Sequence, residues 1–93
     1  MALLFEWDRE KARSNLAKHG VSFDEASTVF ESLLSVTIPD PLHSEGERRF
    51  VLIGYSHQGR LLVVVHTDRG DRIRIVSARP ATRQERLHYE KDG

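Results

Sequence analysis

The stretch RLLVVVHTDRGDRIRIVSAR, residues 60–79, reads as two β-strands and a tight turn. Arg60–Thr67 and Arg72–Arg79 are rich in β-branched residues, and DRGD (68–71) between them is turn chemistry. So short a connection permits an antiparallel hairpin only, because a parallel pair needs a crossover of about a dozen residues or more. Leu61–Val65 is apolar at every position, the mark of a strand buried on both faces at the centre of a sheet. The second strand carries three arginines. Alternation puts Arg72, Arg74, Val76 and Ala78 on one face and Ile73, Ile75, Ser77 and Arg79 on the other. If the isoleucines pack beneath helices, Arg72 and Arg74 stand on the uncovered face. Arg79 joins them only if the strand ends or bulges first.

Upstream of the hairpin, Arg49–Tyr55 is a further strand, turning through HQG (57–59). SVTI (35–38) is another, broken by Pro39 and Pro41, and PDPLHSEGERR (39–49) is a polar loop. SFDE (22–25) is a capping box, with Ser22 at the N-cap and Glu25 at N3. The helix it opens should run to about Ser32, with Phe23, Ala26, Phe30 and Leu33 as its apolar stripe. An earlier helix starts at an Asp8 N-cap and runs to His19, with Gly20 at C′ and Ala12, Leu16 and His19 on one face. FEW (5–7) suits a short edge strand. Downstream, Pro80 stops the hairpin, and TRQE (82–85) is a second capping box opening a helix through Tyr89. The order β-α-α-β-β-β-β-α predicts an α+β fold of two layers, an antiparallel sheet with helices on one face and the opposite face bare.

Ninety-three residues suffice for one domain, spanning 1–93. Neither a membrane span nor a signal peptide is evident, and the absence of cysteine excludes disulfides and thiolate metal sites and fits a reducing cytoplasm. Formal net charge is zero, but residues 1–56 hold six Lys/Arg against nine Asp/Glu, and residues 57–91 hold eight against four. All but one of the later cations are arginine, the side chain that grips phosphate through a planar fork.

HSEGER (43–48) places His43 and Glu47 four apart in a loop, the residue types of an acid/base pair. As metal ligands they would lack a third and fourth partner at any recognisable spacing, so no metal and no cofactor are expected. KHG (18–20) puts Lys18 and His19 at a helix C-terminus, where a cation is favoured by the dipole. RGD (69–71) is turn chemistry.

Taken together, FEWDREKARSNLAKHGVSFDEASTVF, HSEGERR, IGYS, GRLLVVV, RIRIVSAR and ATRQERLHYE occur in the order and spacing of BrnT-type toxins, which the chain resembles from Phe5 to about Glu90. One departure is Pro80, where a second basic residue is expected after Arg79. The resemblance implies a RelE-like fold and a metal-independent ribonuclease that arrests translation and growth. It implies a ribbon-helix-helix antitoxin of the BrnA type, two toxins to two antitoxins, with operator DNA touched only through the antitoxin. In such an enzyme Arg60, Arg74 and Arg79 would bind phosphate and stabilise developing charge, with Arg48 and Arg72 as further RNA contacts. His43 backed by Glu47 leads for proton transfer, and His19 with Lys18 follows. The rival is a non-catalytic module of the same fold that binds protein or nucleic acid.

Overall fold

The structure, a computed structural model, describes residues 3–40 and 48–92. The elements are β1 (Leu4–Glu6), α1 (Arg9–His19), α2 (Phe23–Thr28) with a 3₁₀ turn at Val29–Glu31, β2 (Val36–Pro39), β3 (Arg49–Tyr55), β4 (Leu61–Arg69), β5 (Arg72–Pro80) and α3 (Arg83–Asp92). One five-stranded sheet runs β1-β5-β4-β3-β2. Pairing is antiparallel except at the edge, where β1 lies parallel to β5. The sheet is therefore mixed, a correction to the all-antiparallel expectation. The crossover from β1 to β5 includes most of the chain, so no local signal marked it.

The hairpins form where turn chemistry put them, and Leu61–Val64 of the central strand is buried. The core lies between the sheet and α1–α2, with Phe23, Ala26 and Val29 against Leu52, Leu62, Val64, Ile75 and Ala78. Gly54 is required by this packing. An added Cβ would sit 2.8 Å from the Ser35 Cβ and 3.1 Å from a Val29 methyl.

The helix ends are set as the caps predict. Asp8 accepts from the Glu10 and Lys11 amides at 2.8 and 3.0 Å, and Gly20 closes α1 at φ 69°. The buried faces differ from the expected stripes. In α1 the buried residue is Asn15, while Leu16 and His19 are exposed. In the second helix the 3₁₀ turn rotates the face, burying Val29 and leaving Leu33 99% exposed.

Helix α3 does not join the other two. Its residues Glu85, His88 and Tyr89 line a depression with Val36, Ile38 and Val63, which belong to the face opposite the core. The face expected to be bare is thus partly roofed, and no described helix is long and apolar enough to cross a membrane.

Candidate functional site

The face under α3 is shaped by a β-bulge. Along β4 the alternation is unbroken, but β5 carries one extra residue, because Val65 pairs with Ser77 and His66 with Ile75. Val76 is the inserted residue, and beyond it the alternation of β5 reverses. Ile75 and Ala78 therefore both enter the core, and Arg74, Ser77 and Arg79 share the opposite face. The bulge is what brings Arg79 onto the arginine face. Strict alternation alone sent it to the wrong side.

At the end of β5, Arg79 donates through Nη1 and Nη2 to the two Glu85 carboxylate oxygens at 2.7 and 2.8 Å. The α3 capping box sits in the same network. The Glu85 amide donates to Thr82 Oγ1 at 3.1 Å, and the Thr82 amide donates to Glu85 Oε1 at 2.8 Å. The adjacent guanidinium, with the Thr82 amide, pulls the Glu85 carboxyl down to about 2. Glu85 is thus ionised across the physiological range. It can orient a cation but is a weak base.

Arg79 and Glu85 line a groove of about 440 Å³ with Arg49, Asp40, Ser77 and Val65. Two guanidinium groups from different strands thus border one concavity, beside two carboxylates and a hydroxyl. An apolar depression of about 600 Å³ continues from it beneath α3, sharing Val51, Val63 and Glu85, with a floor of Val36, Ile38 and Ile53. Tyr89 closes its far end. Its ring meets Tyr55 edge-on at 5.9 Å, and its hydroxyl donates to the Leu34 carbonyl at 2.8 Å.

The remaining sequence candidates fall into three places. Arg74 is on the same face as Arg79, toward β1, and donates to Glu6 at 2.9 Å. Glu6 also meets Arg69 at 3.5 Å, and Arg72, exposed, pairs with Arg69 across the hairpin. Arg60 is on the other side of the sheet. It holds the Glu25 carboxylate through Nε and Nη2 and donates to the Gly20 carbonyl at 3.0 Å. Ser56 completes the cluster, donating to Glu25 at 2.7 Å, and these contacts keep the buried Glu25 carboxyl below its usual range. Lys18 and His19 are exposed at the nearby end of α1. Arg48 also belongs to this side, with its guanidinium carbon 5.6 Å over the Phe50 ring. The expected single cradle of Arg60, Arg74 and Arg79 is thus corrected. Arg60 shares the parity of Leu62 and Val64 and is spent on anchoring α2. His43 and Glu47 lie outside the described residues.

Sequence reasoning missed Arg49, Glu85 and His88. Arg49 differs from Arg48 by one position, and in a strand one position is the other face. Glu85 was visible as a capping residue, and His88 follows it by three, one turn along the same helix face. Among the described residues no three His, Asp or Glu side chains are grouped so as to hold a metal ion.

Comparison with known proteins agrees with this architecture. A search of curated proteins finds no match. Among solved structures, the crystal structure of the Brucella abortus ribonuclease toxin BrnT superposes with a TM-score of 0.69 at 22% identity, covering 88% of this chain and all of that one. At that identity the likeness establishes the fold. Residues 7–85 match the family model described as the ribonuclease toxin BrnT of type II toxin–antitoxin systems. With most of its length matched, the chain belongs to the BrnT family of ribonuclease toxins.

Proposed function

We propose that the protein is a metal-independent endoribonuclease whose substrate lies in the groove bordered by Arg49 and Arg79. The observation that carries this reading is the placement of the Arg79 guanidinium, held by the Glu85 carboxylate, in the same groove that Arg49 lines. Cleavage of RNA by its own 2′-hydroxyl puts extra negative charge on the phosphorus oxygens in the transition state. Preorganised guanidinium groups stabilise that charge, the task a metal ion performs in other nucleases. Arg74 and Arg72 extend the same face by about 16 Å or more along the strand and suit the flanking phosphates. Proton transfer falls to His43, oriented by Glu47, with His88 of the α3 face as the second candidate.

Cutting RNA in this way arrests translation and growth. The partner that reverses it is a ribbon-helix-helix antitoxin of the BrnA type, in a complex of two toxins and two antitoxins that meets operator DNA through the antitoxin. The test is purified protein with end-labelled RNA, with and without EDTA. Cleavage that survives the chelator and leaves 2′,3′-cyclic phosphate ends supports the reading. Intact RNA at high protein concentration overturns it in favour of a non-catalytic binding module.

A further inference from the structure

The apolar depression under α3 exceeds what phosphate binding requires. Its floor of Val36, Ile38, Val51, Ile53 and Val63 is aliphatic throughout. Beside it the chain leads into β2 through Leu33 and Leu34, which are 99% and 75% exposed, and Val36 and Ile38 are about half exposed. The Tyr89 hydroxyl, bonded to the Leu34 carbonyl, sets this segment beside the depression, and so much exposed aliphatic surface is uncommon without a partner. Two classes of occupant suit a ribonuclease toxin, a nucleobase or a protein. Bases bind by stacking on aromatic rings. Of the rings lining it, Tyr89 is edge-on to Tyr55 and has its hydroxyl engaged, His88 offers a single small imidazole, and the floor is branched aliphatics alone. That surface fits aliphatic side chains of a protein.

We propose that the antitoxin, the protein partner that type II membership implies, seats aliphatic residues in this depression and against Leu33 and Leu34. The depression continues into the arginine groove through Val51, Val63 and Glu85. A segment anchored in it therefore lies across the entrance to Arg79 and Arg49, and an acidic residue carried by that segment meets both cations. Inhibition follows from position, with no change in the toxin's fold. The free edge of β2 contributes little. Asp40 directs its amide to Arg49, which leaves the Thr37 amide facing outward and Pro39 with none to offer. Side chains, not an added strand, carry the contact.

The inhibitory consequence rests on the proposed cleavage groove, but the docking itself does not. The test uses calorimetry between the purified toxin and the antitoxin encoded in the same operon, beside cleavage of labelled RNA by the toxin alone. Ile38→Asp puts a charge in the depression, and Leu33→Ser removes a side chain that touches solvent only. Affinity should fall about 100-fold for the first and about 10-fold for the second, and Leu33→Ser should leave cleavage by the toxin alone unchanged. Wild-type affinity in both variants overturns the proposal. So does loss of cleavage with unchanged affinity, which assigns the depression to RNA. Should Ile38→Asp fail to fold, Leu33→Ser decides alone. If the wild type leaves RNA intact, the ribonuclease reading fails while the calorimetry still decides the docking.

Discussion

The Arg79 guanidinium and the Glu85 carboxylate meet through two parallel hydrogen bonds of 2.7 and 2.8 Å, tying the end of β5 to the first turn of α3. A guanidinium has five N–H donors, and this pair engages two of them. The carboxylate fixes the plane of the cation, and Val76 decides which face that cation occupies.

Replacing Arg79 by alanine should therefore lower RNA cleavage about 100-fold without unfolding the sheet. Glu85→Gln keeps the size but loosens the fork, and cleavage should fall by between about 10- and 100-fold. The folded Glu85 carboxyl, at about 2, lies below its ordinary 4.5. Its contribution to stability is complete above pH 4.5 and is lost as pH falls toward 2. The urea midpoints of wild type and Glu85→Gln should differ at neutral pH and converge at pH 2. A constant difference would exclude the linkage.

Asn15 acts as a substitute strand. Among the described residues β1 pairs with β5 at Arg72–Arg74 alone, and further along that edge the Ala78 backbone has no described strand beside it. The buried Asn15 amide fills the place. It donates to the Ala78 carbonyl at 2.7 Å and the Val21 carbonyl at 3.0 Å, and accepts from the Ala78 amide at 3.1 Å. Asn15→Ala strands buried backbone groups and should cost about 2–4 kcal/mol. Asn15→Asp should be no better, because a carboxylate cannot donate to either carbonyl. Denaturant unfolding at pH 7 measures both.

Arg60 and Glu25 form the corresponding joint on the other side of the sheet. Arg60→Ala leaves a buried carboxylate with Ser56 as its remaining side-chain donor. The melting temperature should drop by several degrees, while cleavage per folded molecule stays near wild type. Arg60→Lys should not restore it, since one ammonium cannot reproduce the fork to Glu25 and the bond to Gly20. A fully folded Arg60→Ala protein without ribonuclease activity would move the catalytic site to the Arg60 side of the sheet.

How far the sequence reached depends on the range of the interaction concerned. Caps and hairpins are local, so Asp8, Ser22, Thr82 and the turns at 57–59 and 68–71 were legible from a few residues. β1 was legible as a strand, but its parallel pairing with β5 depends on contacts 68 residues apart. Parity set the limit at the site. Arg79 was expected on the arginine face only if β5 ended or bulged before it, and the bulge at Val76 supplies that condition, although nothing in RIRIVSAR marks where the extra residue sits. One position separated Arg48 from the groove residue Arg49. The exchange of Leu16 for Asn15 in α1 has another cause. A polar residue was buried to satisfy backbone that the pattern of apolar residues cannot reveal.

His66 is the core group through which mild acid should act. Its ring is buried between Phe30, edge-on at 4.8 Å, and Phe50, stacked at 5.6 Å, and neither nitrogen has a hydrogen-bond partner among the described residues. Burial pushes its pKa below the ordinary 6.5, and the Asp68 charge offsets this only in part. Arg48 has its guanidinium carbon 5.6 Å over the Phe50 ring. Because the folded state holds the proton less tightly than the unfolded chain, stability is complete above pH 6.5 and declines as pH falls through that value. The slope for this one proton cannot exceed about 1.4 kcal/mol per pH unit. The carboxylates of Glu25 and Glu85 stay ionised until below pH 4.5, so between pH 5 and 6.5 their linkage is silent. His66→Phe, which keeps a ring in the box, should flatten stability across that interval when urea midpoints are measured from pH 5 to 7.5. A wild-type profile already flat there would mean that the ring stays solvated or paired, and the buried neutral imidazole would be wrong.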